Sequence, residues 1–242
     1  MKTALKTRWL MSLAMVMAGA FAGVGRSAAA GSPETTSIIT IHVHNYAGVD
    51  EKTLAEAEKV MTEIFRKAGV EIRWVDNDLT SQNKLENPID QESSHLFNIW
   101  VNFYPRLMAE RFRLSSDVMG FAPGTQRNRD VVYVFYNRLE VVYQKQMNAR
   151  SEGILDRIAT MPQLLAHAIS HEIGHVLLNI ESHSETGIMR GNWDLNDLRD
   201  LAYGYLLFTK EQAPIIRAEV VRRARQQQTA DVAGLESPTL AR

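Results

Sequence analysis

The chain has 242 residues, 45% hydrophobic and 23% charged, which is an ordinary globular composition. It contains no cysteine, which excludes a disulfide framework, thiolate metal sites and a lipoprotein anchor. The formal net charge of −1 leaves no excess of Lys and Arg for phosphates, so we expect no nucleic-acid partner.

The first 30 residues have the three-part pattern of a cleavable signal peptide. They carry four basic residues and no acid, and the apolar run Trp9–Gly25 precedes the small residues Ser27–Ala30. The apolar run is short for a membrane span and includes three glycines, so we expect no stable membrane anchor after cleavage. Cleavage after Ala30 would give a secreted or periplasmic chain with 23 basic and 28 acidic residues, a net charge of −5.

The next part of the chain alternates strand patterns with one helix. Runs rich in β-branched and aromatic residues predict strands at 37–45, 70–75, 96–104, 118–123 and 130–136. Apolar residues at helical spacing predict a helix at 51–68, capped by Asp50 and ended by Gly69. The polar segment 76–95 predicts a surface excursion, and 118–123 is expected to be an edge strand.

The remaining part is predicted to be helical. Helices are expected at 137–147, from Pro162 to Leu178, at 195–207 and at 210–226, with a loop at 179–192 and a disordered tail at 227–242. This order predicts the fold class: a single α/β (α+β) domain over residues 31–226, with a mixed, twisted sheet packed against helices.

One helix carries a metal-binding pattern, His171-Glu172-Ile173-Gly174-His175. His171 and His175 are four apart, so both imidazoles emerge on the same helix face and can share a Zn²⁺ ion. Glu172 lies next to the first ligand and can act as the general base. The other residues of this helix are mostly apolar, so its polar groups need partners, and a metal supplies them.

A catalytic zinc site normally has three protein ligands and an open position. Asn179 can end the helix, because Asn tolerates the left-handed conformation, and the chain can then turn to deliver His183. Glu181 is the alternative third ligand, and Asp197 or Asp200 would serve a carboxylate-ligated plan. His167, one turn before the motif, is expected to line the core or to support a ligand.

These residues resemble the metzincin clan of zinc metallopeptidases, and the resemblance covers roughly residues 37–208. It is carried by the histidine–glutamate motif, a third histidine, and a methionine turn at Gly187-Ile188-Met189. The resemblance implies a zincin-like fold and places Met189 as an apolar floor beneath the metal. The string HEIGHVLLN…HSETGIMRGNW, with GFAPG and VVYVFYNR upstream, also resembles uncharacterised secreted bacterial metzincin-like proteins.

The sequence departs from the usual metzincin spacing. The positions three and six residues after the second histidine hold Leu178 and Glu181, where the clan has Gly and its third ligand. Gly191 stands two residues after Met189, where some metzincins have a tyrosine ligand. Asn179 and His183 fit the same design with a longer segment, so we expect His183 to be the third ligand, with Glu181 as the alternative.

The predicted function is zinc-dependent endopeptidase activity on a peptide or protein substrate outside the cytoplasm. The edge strand Gly120, Phe121 and Ala122 is expected to pair with an extended peptide, as the corresponding strand does in metzincins. Two alternatives stay open: a catalytically silent zinc-binding module, and a zincin with a carboxylate third ligand that acts on another amide. The presence of Glu172 favours an enzyme, since a structural site has no use for a base.

Overall fold

The computed structural model describes residues 38–76, 96–123 and 130–235, and these ranges form a mixed α/β fold. They contain a five-stranded sheet and six helices. The predicted signal peptide at 1–30 and most of the polar excursion 76–95 lie outside the described residues.

The sheet is mixed, as predicted. Its strands are β1 (Ile38–Asn45), β2 (Glu71–Asp76), β3 (Leu96–Tyr104), β4 (Gly120–Phe121) and β5 (Val131–Phe135). Their order is β2-β1-β3-β5-β4, and every pair is parallel except β4 with β5. The short strand β4 therefore lies at an edge, which confirms the predicted edge strand.

The helices are α1 (Glu51–Lys67), α2 (Arg106–Arg111), α3 (Tyr136–Ser151), α4 (Met161–Leu178), α5 (Leu195–Tyr203) and α6 (Gln212–Leu235). The prediction for α1 is confirmed, including its cap, because the Asp50 side chain accepts a hydrogen bond from the Thr53 N–H at 3.0 Å. Gly69 follows this helix with a left-handed φ of 77°.

Three helix predictions need correction, and one helix was not predicted. Helix α2 was not predicted, and α3 continues past residue 147 to Ser151. Helix α5 ends at Tyr203 instead of residue 207, because Gly204 adopts φ 75° and stops it. Helix α6 continues past residue 226 to Leu235, through a glutamine-rich segment without proline, so part of the predicted disordered tail is helical.

The main core lies between the sheet and the helices α1, α4 and α6. Ile39, Ile41 and Val43 on β1 alternate into it and are fully buried. Helix α4 packs against α1 and also against β5 and β4. This packing brings the histidine–glutamate motif of α4 beneath the free edge of the sheet.

Candidate metal centre

Helix α4 holds several polar residues in an apolar environment. Its start is fixed by a capping box between Thr160 and Gln163, with Pro162 in the first turn. Its end is fixed by Asn179 in the left-handed conformation, with φ 52°, as predicted from the sequence. The buried polar residues of the helix are His167, Ser170, His171 and Glu172. Such residues require partners inside the fold.

The structure brings together the three histidines predicted as ligands. Ring nitrogens of His171, His175 and His183 all lie within 4.8 Å of one another. The Nε2 atoms of His171 and His175 are 3.2 Å apart, and two nitrogens on one tetrahedral zinc ion would be about 3.3 Å apart. The His183 ring centroid lies 5.3 Å from that of His171 and 4.9 Å from that of His175.

The hydrogen bonds of the two helix histidines define which nitrogens face the centre of this cluster. His171 Nδ1 lies 2.7 Å from the Ile188 carbonyl oxygen, and His175 Nδ1 lies 2.9 Å from the Ile180 carbonyl oxygen. A carbonyl can only accept, so Nδ1 carries the proton in both neutral rings. Both Nε2 atoms then present lone pairs to each other across 3.2 Å. A cation between them would relieve this contact.

The carboxylates considered as alternative ligands lie outside this cluster. Glu181 is exposed on the rim of the same cleft. Asp197 accepts hydrogen bonds from Arg190 and from the Asp194 N–H at the start of α5. Asp200 is on the same helix. Among the described residues, the group placed to hold a metal consists of the three histidines.

The loop that carries His183 is closed by its own backbone and by helix α6. The Ser184 N–H donates to the Met189 carbonyl at 2.9 Å. The Gln212 side-chain amide donates to Ser184 Oγ at 2.7 Å, while its own carbonyl oxygen accepts from the Thr209 N–H. His183 is therefore followed directly by Ser184, which is hydrogen-bonded both to the methionine turn and to the first turn of α6.

Met189 is fully buried and packs against Gly174, which lies between the two helix histidines. A Cβ at Gly174 would overlap Met189 Sδ and would lie 2.9 Å from Phe208 Cε1. The turn is also held by the Ile188 N–H, which donates to the Leu207 carbonyl at 2.9 Å. Glycine in the middle of α4 thus permits the close approach of the methionine side chain.

Glu172 projects from α4 toward strand β4. Its carboxylate accepts a hydrogen bond from the Ala122 backbone N–H, and burial raises its pKa to about 8 in the metal-free protein. A Cβ at Gly120 would lie 2.9 Å from Glu172 Cγ and 2.6 Å from the Tyr133 carbonyl oxygen. The missing side chain at Gly120 therefore leaves room for the Glu172 side chain beside the strand.

Strand β4 forms one wall of a cleft of about 450 Å³ that contains the histidines and Glu172. The Phe135 N–H donates to the Met119 carbonyl, which places Met119 and Phe121 on the hydrogen-bonding side toward β5. The backbone groups of Gly120 and Ala122 consequently point the other way, toward the cleft. The predicted edge strand and the histidine cluster therefore share one cleft.

The residues around His171 include one contact that sequence reasoning missed. The Trp193 Nε1–H donates to the same Ile188 carbonyl as His171, at 3.4 Å, and its ring meets the His171 ring edge-on at 6.0 Å. His167 lies outside the cluster of three histidines, as expected, with Nδ1 2.8 Å from the Gln163 carbonyl oxygen. Burial lowers the pKa of His167 to about 4.

Two arginines of the cleft wall, Arg190 and Arg223, were also not expected from the sequence, because no local pattern marks either of them. Arg190 follows the methionine turn directly. Arg223 comes from α6, where it is buried between Glu219 and Asp130 and donates to the Val176 carbonyl at 2.8 Å. Only 8% of the Arg223 surface is exposed, although α6 carries several other arginines.

Comparison with known proteins leaves the site to be judged on its own geometry. No known protein family matches the chain, and no curated protein shows significant similarity to it. Within the described residues, no helix has both the length and the apolar character needed to cross a bilayer.

Proposed function

We propose that this chain is a secreted zinc endopeptidase of the metzincin type. The observation that carries the proposal is the pair of Nε2 lone pairs on His171 and His175, which face each other at 3.2 Å with a third imidazole beside them. The order of a mixed sheet, helix α4, a methionine turn and a last helix supports the metzincin assignment.

The donor set fits zinc by its chemistry. Three neutral imidazoles are a common ligand set for catalytic zinc, and they leave a fourth position for water or substrate. Both helix histidines donate their Nδ1–H groups to backbone carbonyls, which fixes the ring orientation and the tautomer. A zinc ion held there would polarise the scissile carbonyl and lower the pKa of water toward neutrality.

Glu172 is the proposed general base. It lines the same cleft as the three histidines, and the Ala122 N–H donates to its carboxylate. A bound dication would favour the carboxylate form of Glu172, because an opposite charge nearby lowers a carboxyl pKa. Glu172 would then take a proton from the attacking water and deliver it to the leaving amine.

The substrate is proposed to be an extended peptide that lies along β4. The outward backbone groups of Gly120 and Ala122 can add a further strand, which is how sheet edges bind peptides. The Ala122 N–H already serves Glu172, so we expect the groups of Gly120 and the Ala122 carbonyl to make the strand contacts.

The test combines metal analysis with digestion of an unfolded protein substrate. The mature chain should bind one zinc ion per molecule and cleave the substrate, and a chelator should abolish cleavage. Glu172→Gln should keep the zinc and lose about 10²–10⁴-fold in kcat. The matched control is the exposed Glu185→Gln on the loop that carries His183, which should retain activity. Wild-type protein that holds zinc yet cleaves nothing would favour the silent binding module.

We also propose that residues 1–30 are removed during export. N-terminal sequencing of the exported protein should then begin at Gly31. An intact Met1 terminus in a membrane fraction would contradict the secreted assignment.

A further inference from the structure

Arg190 enters the cleft next to the third histidine. Its backbone N–H donates to the Gly187 carbonyl at 3.1 Å, so the turn that holds Met189 also fixes Arg190. The next residue, Gly191, packs on the imidazole of His183, since a Cβ there would lie 2.9 Å from the ring. Arg190 is one of the residues that line the cleft of the three histidines.

Two aspartates hold the Arg190 guanidinium in place. Its Nη1 donates to Asp194 Oδ2 at 3.0 Å and to Asp197 Oδ2 at 2.6 Å. Both carboxylates also accept backbone N–H groups at the start of α5: Asp194 from Asn196 and Asp197, and Asp197 from Asp194. The helix N-terminus therefore shares in stabilising their negative charge, which is not balanced by Arg190 alone.

These contacts use one nitrogen of the guanidinium. Among the described residues, the Nε and Nη2 groups of Arg190 have no acceptor, and 37% of its side chain is exposed. Arg223, the other arginine of the cleft wall, is engaged by two carboxylates and a carbonyl. Planar N–H pairs of a guanidinium match the two oxygens of a carboxylate.

We propose that Arg190 binds a carboxylate of the substrate close to the scissile bond. The carboxylate belongs either to an Asp or Glu side chain or to the free C-terminus of the peptide. This inference rests on the proposed peptidase function and adds a substrate class to it. Arg190 is then a specificity-determining residue, held in position by Asp194 and Asp197 before the substrate arrives.

The test measures kcat/KM for matched peptides that share one cleavable core. One set exchanges Glu for Gln at each position near the scissile bond, and the other exchanges a free C-terminal acid for its amide. Wild-type protein should prefer the carboxylate member of one set by roughly tenfold to a hundredfold. The set that shows the preference identifies the source of the carboxylate.

Arg190→Gln should bring this preference close to unity while changing the neutral peptide much less. Arg190→Lys keeps the charge without the planar fork and should retain part of the preference. Arg199→Gln, on the exposed side of α5, makes the same charge change and should leave the preference intact. A purely structural role for Arg190 would instead lower kcat/KM equally for both members of a pair.

A preference for neutral or basic peptides would overturn the proposal, and so would a carboxylate preference that survives Arg190→Gln. A preference for neutral or basic peptides would arise if the exposed acids Asp117 and Glu181 on the cleft rim dominated the electrostatic potential of the cleft. If no peptide is cleaved, the peptidase assignment fails, and calorimetric binding of the same peptides to the zinc-loaded protein tests Arg190 separately. Equal binding of acid and amide would then reject the carboxylate site.

Discussion

The contact between Gly174 and Met189 gives a prediction whose sign depends on packing. Gly→Ala in an open helix interior stabilises by about 1 kcal/mol, through intrinsic propensity. At Gly174, however, the added Cβ would overlap Met189 Sδ and lie 2.9 Å from Phe208 Cε1. Overpacking a buried site costs about 1–3 kcal/mol, so Gly174→Ala should destabilise the protein or at best be neutral.

The same substitution should have the opposite sign when the methionine is shortened. Met189→Ala alone should cost about 2–5 kcal/mol, because it opens a cavity under the helix. Gly174→Ala in that background puts its methyl group into the vacated space, into which the Phe208 ring can also shift, so it should recover up to about 1 kcal/mol. The two substitutions should therefore be coupled favourably by about 1–3 kcal/mol.

Urea unfolding of the four metal-free proteins measures this cycle, with the m-value checked for constancy. Additive effects, within about 0.5 kcal/mol, would refute the close contact. Zinc affinity provides a second readout. Displacing Met189 should shift the adjoining Ile188 carbonyl, which orients His171, and weaken zinc binding by up to about 10–100-fold.

Three further predictions concern residues around the cluster. His183→Ala should weaken zinc binding by well over about 100-fold, while Glu181→Ala should stay at or below the roughly 10–100-fold range of a supporting residue; the reverse order would favour a carboxylate ligand. Ser184→Ala leaves the Gln212 amide without its partner and should cost about 1 kcal/mol in urea unfolding together with some zinc affinity; an unchanged affinity would show that this hydrogen bond does not position the loop. Burial lowers the pKa of His167 to about 4, so the metal-free protein should lose stability as pH falls from about 6.5 toward 4, and His167→Gln should flatten that loss; an equally steep profile would assign it to other groups.

Much of helix α4 could be predicted because its signals are local. The motif spacing, the proline in the first turn and Asn179 as the helix stop all lie within one segment of sequence. Strands β1 and β3 were also predicted, since their inward residues alternate with outward ones. The proximity of His183 to the two helix histidines could also be predicted, because only a short segment separates it from the helix stop at Asn179.

The remaining features depend on contacts between distant segments. No local sequence pattern marks Arg190 or Trp193. Their contacts arise because the loop packs against α5 and α4. Helix α2 was missed because it has only six residues and no side-chain cap. The sequence of α6 does not distinguish Arg223 from its other arginines, and its burial depends on the distant Asp130, which lies just before β5.

The local pattern of α4 is itself an argument for function. A core helix of this length could be apolar on its inward side, yet it buries His171 and Glu172. Natural sequences depart from consistent patterning mainly where a site requires it. The loop supplies carbonyls to the Nδ1 atoms of both helix histidines, so their Nε2 lone pairs face each other at 3.2 Å. An arrangement that places two lone pairs face to face is costly by itself and becomes favourable once a cation lies between them. The buried polar residues of α4, the left-handed stop at Asn179 and the turn before Met189 all fit the proposed metal site, because together they place three imidazoles within reach of one ion.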